Sequence, residues 1–383
     1  TGSTFVGWTG ACLDLTTTCQ VTMDAAKTVT ATFTTNSYII GGTVSGSYSP
    51  LTLKLTNLSD GTSYSINTSA IDDQRFATNL GTFPGYVNSY TGSSDNGGWS
   101  SHSVNDKGQV VGYSSDNNGN YHGFLYSNGV MTDPFGISPI VSTVAQAIND
   151  SGQVVGIVMT ASGSYGSSLY SNGVITDLGV LPGYGNTLAQ GINDSGQVVG
   201  YSCGNECHAF LYSNGVMTDL GGLPGYTYSY AQGINASGQV VGYSTNYDGS
   251  AHLFLYSNGV MTELGGLPGF AYNYPSGINA SGQVVGSSCG NECHAFLYSN
   301  GVMTDLGGLP GCAYNYALGI NASGQVVGSS FCNGSVHPFL YSNGVMTDLN
   351  TLVSPASLGG YILQSASGIS DNGLISAQGY NPQ

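Results

Sequence analysis

Short apolar runs alternate with glycine- and asparagine-rich turns along most of the chain, and one of these runs returns at a regular interval. The phrase Asn-x-x-Gly-Gln-Val-Val-Gly begins at Asn105, Asn149, Asn193, Asn235, Asn279 and Asn321. By subtraction the intervals are 44, 44, 42, 44 and 42 residues, a period typical of β-propeller blades. A weaker copy, ISDNGLISAQG, begins at Ile369. The pattern therefore predicts tandem copies of one β-sheet unit.

Each copy is predicted to form four short strands. In the fourth copy these strands cover residues 230–235, 239–244, 251–257 and 259–264. The last two are joined by Asn258-Gly259, a pair that favours the two-residue hairpin turn with positive φ at both positions. Phe254, Leu255 and Tyr256 place apolar groups on both faces of the sheet. Such a sheet must be covered on both sides, as a propeller blade is by its neighbours.

The two ends of the repeat region complement each other. The chain ends after two strands of a copy, at residues 365–370 and 373–380, whereas residues 76–86 match the fourth strand and following loop of a copy. We therefore predict an all-β fold, a seven-bladed β-propeller of four-stranded repeats of about 42–44 residues. The closing blade would take its outer strands from about residues 62–81 and its inner strands from the C-terminus. Six blades with loose ends is the alternative.

Composition narrows the choice of partner. Only 4 of the 383 residues are Lys or Arg, against 20 Asp or Glu, so nucleic acid and anionic membrane surfaces are not expected partners. No apolar run approaches the ~20 residues that span a bilayer, so no membrane span is expected. No secretion signal stands at Thr1. We therefore expect the chain to be processed or trimmed.

The repeats resemble a known family. The segments AFLYSNGVMTDLG and GINDSGQVVG look like the HAF-type extracellular repeats of bacterial secreted proteins, over residues ~76–380. The resemblance implies secretion and a propeller-like fold, and it implies no defined catalytic activity. The copy that contains Ile148 departs most from the pattern, with YGSSLY where CHAFLY is expected. We expect this blade to pack more loosely than the others.

A different module precedes the repeats. Residues 1–36, with a cysteine pair and a threonine-rich last segment, resemble the latter half of a divergent internalin B-type repeat, a small β-module of bacterial surface proteins. Its earlier strands are missing, so we expect either a cut chain or a strand supplied by another molecule. Residues 37–61 are predicted to form a connector or hairpin, and residues 62–383 the propeller.

The cysteines raise the question of a metal or haem site. The stretch CGNECH occurs at residues 203–208 and 289–294, but the spacing between its cysteines is wrong for haem attachment. His122, His252 and His337 occupy the same register in copies without the cysteine pair, and zinc needs four convergent ligands. We therefore predict no metal and four disulfides of an oxidising compartment. They pair Cys12 with Cys19, Cys203 with Cys207, Cys289 with Cys293, and Cys312 with Cys332.

The two ends of each blade are expected to differ. Turns after the first and third strands are short and nearly constant; we call that side the turn face. Loops after the second and fourth strands are longer and more varied, and we call that side the loop face, where binding is expected. The candidate binding or assembly residues on it are Tyr226, Tyr228, Tyr230, Phe270, Tyr272, Tyr274, Tyr314 and Tyr316. They suit stacking on sugar rings, contact with another subunit, or packing between blades.

Candidate chemistry is sparse. One acidic residue recurs on each fourth strand, at Asp133, Asp177, Asp219, Glu263, Asp305 and Asp348. These carboxylates are set too far apart for glycoside hydrolysis, and a structural hydrogen bond or an edge charge is the preferred interpretation. The loops at residues 116–120 and 247–250 carry oxygen ligands that calcium accepts, but neither is an EF-hand. No catalytic residue and no cofactor are predicted.

These patterns favour a non-enzymatic bacterial extracellular protein with a structural or adhesive role. In its specific form, the hypothesis is a self-assembling filament or surface-layer subunit that uses strand complementation. Its partners would be copies of itself or other components of the cell surface. The alternative is a glycan-binding propeller module of a larger secreted protein.

Overall fold

The computed structural model describes residues 77–83, 86, 88–91, 103–117, 119–136, 142–159 and 163–382, together with the backbone of four strands in residues 1–76. The chain divides into two compact units, Thr1–Phe76 and Ala77–Gln383. The boundary therefore falls after Phe76, whereas the sequence suggested one near residue 61. Within the described residues, no helix is long and apolar enough to cross a membrane.

The N-terminal unit contains one four-stranded sheet. Its strands are β1 (Phe5–Gly10), β2 (Val29–Phe33), β3 (Leu51–Thr56) and β4 (Ser63–Thr68). Strands β1 and β2 are antiparallel, β2 meets β3 through a single parallel bridge, and β3 pairs with β4 along its whole length. Cys12 and Cys19, with their predicted disulfide, lie outside the described residues.

The C-terminal unit repeats one four-stranded antiparallel arrangement, and we number its sheets 1 to 6. Sheet 1 comprises β5 (Asn88–Thr91), β6 (Val110–Ser115), β7 (Tyr121–Ser127) and β8 (Val130–Thr132). Sheet 2 comprises β9 (Ser142–Ile148), β10 (Val154–Met159), β11 (Tyr165–Ser171) and β12 (Val174–Asp177). Sheet 3 comprises β13 (Asn186–Ile192), β14 (Val198–Cys203), β15 (Cys207–Ser213) and β16 (Val216–Gly221). Sheet 4 comprises β17 (Tyr228–Ile234), β18 (Val240–Thr245), β19 (Ala251–Ser257) and β20 (Val260–Glu263). Sheet 5 comprises β21 (Tyr272–Ile278), β22 (Val284–Cys289), β23 (Cys293–Ser299) and β24 (Val302–Asp305). Sheet 6 comprises β25 (Cys312–Ile320), β26 (Val326–Cys332), β27 (Ser335–Ser342) and β28 (Val345–Asp348).

A two-stranded element comes after sheet 6. The closing hairpin consists of β29 (Ile362–Ile369) and β30 (Ile375–Tyr380). Two short helices precede it, α1 (Leu349–Leu352) and α2 (Pro355–Leu358). The side chain of Asp348 caps α1 by accepting a hydrogen bond from the backbone N–H of Asn350, an N-cap arrangement that stabilises even a single turn.

The predicted hairpin turns are confirmed. Asn258 and Gly259 have φ of 51° and 81°, so both central residues adopt the left-handed conformation that a type I′ turn requires. The same pair of positive φ angles recurs at the Asn-Gly step of all six sheets. The strands of sheet 4 agree with the predicted ranges to within about two residues.

A β-bulge near the end of the first strand of sheets 2 to 6 explains the glycine of the Gln-Val-Val-Gly phrase. In sheet 3 the pairing shifts between Ala189 and Gly191, so that Gln190 is the extra residue. The bulge presses the carbonyl of Leu188 against Gly200, where a Cβ atom would collide with it. Only glycine leaves room for this close approach of two backbones.

Phenylalanine rings fill the spaces between sheets. The third strand of five sheets carries a phenylalanine that is almost fully buried: Phe124, Phe210, Phe254, Phe296 and Phe339. Sheet 2 has Ser168 at this position, and Phe135 from the preceding loop lies against Gly156 in its place, as Phe254 lies against Gly242 in sheet 4. A phenylalanine from outside the sheet therefore compensates for the altered sequence of sheet 2.

A belt of asparagine side chains joins the sheets along the turn face. In each sheet the asparagine that begins the strand 1–2 turn donates a hydrogen bond from Nδ2 to a main-chain carbonyl of the next sheet. The acceptors of Asn105, Asn149, Asn193, Asn235 and Asn279 are the equivalent asparagines of sheets 2 to 6, at 2.9–3.1 Å. Neighbouring sheets are thus held in one register by bonds that depend on a single residue type.

The belt continues across the ends of the array and closes the ring. Asn321 of sheet 6 donates to the carbonyl of Ser370 in the closing hairpin, at 3.3 Å. Asn372 of that hairpin donates to the carbonyl of Asp106 in sheet 1, at 2.7 Å. The hydroxyl of Ser103 also lies 2.7 Å from that of Ser376. The C-terminal unit is therefore a closed β-propeller.

The closing position holds two strands in the described residues. The strand within residues 62–81 is β4, and it pairs with β3 inside the N-terminal unit. The described residues 77–83 form no strand. The outer strands of a composite blade are therefore not formed by the described residues, and a complete seventh blade stays a prediction. The hairpin β29–β30 nevertheless occupies the place between sheets 6 and 1.

Candidate functional site

Loops and strand ends on the loop face bring the predicted aromatic residues into three sets. The outer set, Tyr226 and Phe270, comes after the Leu-Pro-Gly phrase. The middle set, Tyr228, Tyr272 and Tyr314, begins or nearly begins a first strand. The inner set, Tyr230, Tyr274 and Tyr316, lies two residues further along the same strands. Because side chains alternate along a strand, the middle and inner sets point to the same side of each sheet.

The outer set covers histidine–carboxylate pairs. The ring of Tyr226 lies 4.7 Å from that of His252, and Phe270 lies 4.9 Å from His294. On the other side, Nδ1 of His294 lies 2.7 Å from Oδ2 of Asp305. The hydrogen bonds to Asp305 and Glu292 outweigh desolvation and raise the pKa of His294. These two aromatic residues therefore support the scaffold.

The same pair recurs around the ring. Each predicted acidic residue except Asp177 faces the histidine of the third strand; the pairs are His122–Asp133, His208–Asp219, His252–Glu263, His294–Asp305 and His337–Asp348, at 2.7–3.4 Å. Sheet 2 has Gly166 where the histidine stands elsewhere. Four of the aspartates and Asp177 also accept a backbone N–H from the following loop. The carboxylates thus anchor loops, as the structural interpretation expected.

The middle set forms an exposed rim. Tyr272 and Tyr314 are 39% and 41% exposed, although the hydroxyl of Tyr314 donates to the carbonyl of Asn291 at 3.1 Å. Tyr228 makes an edge contact with Tyr247, which is 83% exposed. The hydrogen bond with Tyr247 raises the pKa of Tyr228 to about 12. These rings present flat apolar faces together with hydroxyl groups to solvent.

The inner set packs into a ladder of tyrosines near the axis of the ring. Tyr230 stacks on Tyr243 of its own sheet with centroids 4.9 Å apart, and its edge meets Tyr201 of sheet 3 at 4.9 Å. Tyr243 in turn meets Tyr274 of sheet 5 at 5.1 Å. Burial raises the pKa of Tyr201 to about 12 and raises that of Tyr243 further. This set fills space between sheets.

A cleft opens where this ladder ends. It lies between sheets 2 and 3 on the loop face, with an empty volume of ≈ 670 Å³ that includes space open to solvent. Among its lining residues are Tyr121, Tyr165, Tyr201, Val144, Leu188 and Gln190. Gln190 is only 2% exposed, and its Oε1 makes no hydrogen bond. The cleft combines aromatic and aliphatic walls with the buried side chains of two glutamines, Gln146 and Gln190.

Disulfides staple the loop face. Cys203–Cys207 and Cys289–Cys293 each close a strand 2–3 loop, and Cys312–Cys332 joins the start of the first strand of sheet 6 to the end of its second strand. The three predicted pairs of this unit are thereby confirmed. Within the residues that the structure describes, no cluster of three or more histidine, cysteine, aspartate or glutamate side chains has the geometry to hold a metal ion.

Comparisons with solved structures give distant matches. A prolyl endopeptidase structure matches 72% of this chain and 49% of its own, with 10% identity and a TM-score of 0.50. The β-propeller domain of the Trilobed protease from Pyrococcus furiosus matches 74% of this chain and 95% of its own, with 8% identity and a TM-score of 0.48. The closed ring of sheets described above identifies the unit as a β-propeller.

The likeness to solved structures is confined to the fold. TolB from Acinetobacter baumannii matches 62% of this chain at 13% identity with a TM-score of 0.44, and the match spans 61% of the TolB chain. The matched structures include peptidases and proteins that are not enzymes, and identities of this order carry the fold alone. The family model of the divergent InlB B-repeat domain matches residues 1–37, which confirms the N-terminal resemblance. The HAF-type resemblance of the repeats stays a prediction. No curated protein matches the chain.

Sequence reasoning missed the belt and the cleft. The belt asparagines were visible as the first letter of the repeat, but their role depends on the next sheet. The cleft had a signal as well: Val144 and Leu188 stand where Tyr230, Tyr274 and Tyr316 stand in sheets 4 to 6. An alignment of the copies by their first strands would have singled out this loss of side-chain volume.

Proposed function

We propose that the chain is an extracellular adhesive protein whose closed propeller binds carbohydrate through its loop face, without catalysing a reaction. The observation that carries this proposal is the rim of exposed tyrosines. Tyr272 and Tyr314 are each about two-fifths exposed at equivalent positions of adjacent sheets. Aromatic rings of this kind stack on the apolar faces of sugar rings, and their hydroxyl groups bond to sugar hydroxyls.

Charge favours a neutral partner. The chain carries 4 basic and 20 acidic residues, with a formal net charge of -16, so its surface repels phosphate, sulfate and carboxylate groups. The disulfides on the loop face fit an oxidising, extracellular location. They also hold the binding loops rigid before a ligand arrives, which lowers the entropic cost of binding.

Retention of the full chain on columns of neutral polysaccharide tests the proposal. We expect the wild-type chain to be retained and the double variant Tyr272→Ala/Tyr314→Ala to elute early, because two stacking surfaces are lost. The matched control is Val260→Ala/Val302→Ala. Both valines are 61% exposed, and both follow an Asn-Gly turn at the turn face. This control should be retained like the wild type.

Self-association is the competing outcome. If no polysaccharide retains the wild-type chain and its mass in analytical ultracentrifugation rises with concentration, the carbohydrate proposal fails. Assembly between copies, including strand complementation by the N-terminal module, would then be the better account. Retention that the Tyr272/Tyr314 variant leaves unchanged would also overturn the role of the rim.

A further inference from the structure

The cleft between sheets 2 and 3 has a cause in the sequence that no general feature of the repeat explains. In sheets 2 to 6 each first strand carries one side chain at the position of the inner set, just before the bulge. In sheets 4, 5 and 6 this residue is a tyrosine: Tyr230, Tyr274 and Tyr316. In sheets 2 and 3 it is Val144 and Leu188. The smaller side chains leave the space that the tyrosines fill elsewhere.

Two further tyrosines border this space, and sheets 3 to 6 have no tyrosine at the equivalent position. Tyr121 and Tyr165 begin the third strands of sheets 1 and 2. The equivalent residues of sheets 3, 4 and 5 are Cys207, Ala251 and Cys293. Sheets 2 and 3 therefore lack the tyrosine of the inner set, while Tyr121 and Tyr165 line the cleft and give it aromatic walls.

Polar groups in the cleft define its chemistry. None of its lining residues is charged, so an ionic ligand would find no counter-charge there. Gln190 lies beneath the cleft, and its Oε1 is buried without a hydrogen-bond partner. Buried amide oxygens in proteins almost always accept a hydrogen bond, so we expect this atom to accept one from a bound molecule. A ligand hydroxyl supplies one, and the aromatic walls suit a ring with apolar C–H faces.

We propose that this cleft binds one neutral pyranose ring, with Tyr165 and Tyr201 against the faces or edges of the sugar and Gln190 Oε1 accepting a hydrogen bond from a sugar hydroxyl. The proposal deepens the function proposed above and rests on it, because it assigns to the loop face a site for a single sugar unit beside the tyrosine rim.

Saturation-transfer NMR on the full chain tests the site with methyl pyranosides of glucose, galactose, mannose and N-acetylglucosamine as probes. At least one probe should receive magnetisation from the wild type. Leu188→Tyr should weaken its binding by about tenfold or more, because the new ring fills the cleft. The fold accepts a tyrosine at this place, since Tyr230 stacks there on Tyr243 in sheet 4. Tyr274→Leu is the matched control and should bind like the wild type.

A second pair of variants isolates the hydrogen bond. Gln190→Leu should weaken the same probe by roughly tenfold, the effect of losing one hydrogen bond to a neutral group. Gln232→Leu changes the equivalent residue of sheet 4, which is also buried with an unbonded Oε1 but does not line the cleft. It should leave binding unchanged. Leu318 occupies this position naturally in sheet 6, so both variants should fold.

The results separate this inference from the proposed function. If no neutral pyranoside receives saturation, or if Leu188→Tyr binds the probe as well as the wild type does, the cleft is not the sugar site. Polysaccharide retention that depends on Tyr272 and Tyr314 would then still support the proposed function. Conversely, loss of saturation in Leu188→Tyr supports the cleft even where a polysaccharide column fails to retain the chain.

Discussion

The turn face and the loop face of the ring are built from the same repeats, yet they tolerate change very differently. Along the turn face, the buried asparagine that begins each strand 1–2 turn is the same residue in all six sheets and bonds to the neighbouring sheet or hairpin. Along the loop face, equivalent positions hold tyrosine, leucine or valine. A ring held together from one side leaves the other side free to vary, which is how a repetitive fold can carry a single distinct cleft.

Substitutions in the asparagine belt of the turn face should lower the free energy of unfolding more than any others discussed below. Asn235 makes four hydrogen bonds: its Nδ2 donates to Gln239 Oε1 and Asn279 O, and its Oδ1 accepts from the N–H groups of Ser237 and Gln239. Asn235→Ala should lower the free energy of unfolding by about 3 kcal/mol, because the buried partner groups lose their bonds. Denaturant unfolding measures this loss.

Asn291→Ala is the control for the belt. Its side chain is exposed in a disulfide-closed loop, so the change should stay within about 0.5 kcal/mol. Equal losses for the two variants would mean that the turn face does not hold the ring together.

Removal of a disulfide on the loop face should cause the next largest loss of stability. Cys312–Cys332 closes a separation of 20 residues, whereas Cys203–Cys207 closes one of 4. Loop-closure entropy predicts losses of about 3 kcal/mol for Cys312→Ser/Cys332→Ser and about 2 kcal/mol for Cys203→Ser/Cys207→Ser. Thermal and denaturant unfolding of the oxidised variants would measure both. A larger loss for the shorter loop would show that local packing, and not chain entropy, dominates.

The smallest effect should come from the histidine–carboxylate pairs. The pKa of His294 is raised by its hydrogen bonds to Asp305 and Glu292. A raised pKa in the folded state stabilises the fold fully below the unfolded value of about 6.5, and this contribution is lost as pH rises through the folded value. NMR titration should therefore find the pKa of His294 above 6.5, and Asp305→Asn should lower it. An unchanged pKa in that variant would contradict the pairing.

Local sequence was enough to predict the fold, because each strand and turn recurs in several copies of the repeat. The Asn-Gly turns demand positive φ wherever they occur, and the strands between them have the apolar faces of covered sheets. The disulfide pairs were predictable from loop position within a copy. Local sequence was not enough for the closing blade, because strand pairing depends on which partner lies near. Ser63–Thr68 pairs with Leu51–Thr56, and the outer strands of the closing blade stay a prediction.

The site was predicted only in outline. The eight aromatic residues lie in loops and at strand ends of the loop face, but sequence alone did not separate them into supporting, exposed and packed sets, and their role in binding or assembly stays a prediction. Tyr226 of the supporting set contacts the ring of His252, Tyr272 of the exposed set faces solvent, and Tyr274 of the packed set contacts Tyr243. These differences depend on side chains of other strands and of adjacent sheets, which lie tens of residues away in the chain.

Repetition in the sequence therefore determined the all-β architecture, the turns, the disulfides of the repeats and the scarcity of basic surface, since each depends on residues close together or on composition. Only the tertiary structure decided how the ring closes, through the bond from Asn372 to Asp106, and where space remains between sheets. Closure and empty volume are relations between distant segments. A cleft forms where Val144 and Leu188, at equivalent positions of neighbouring sheets, line the space between them.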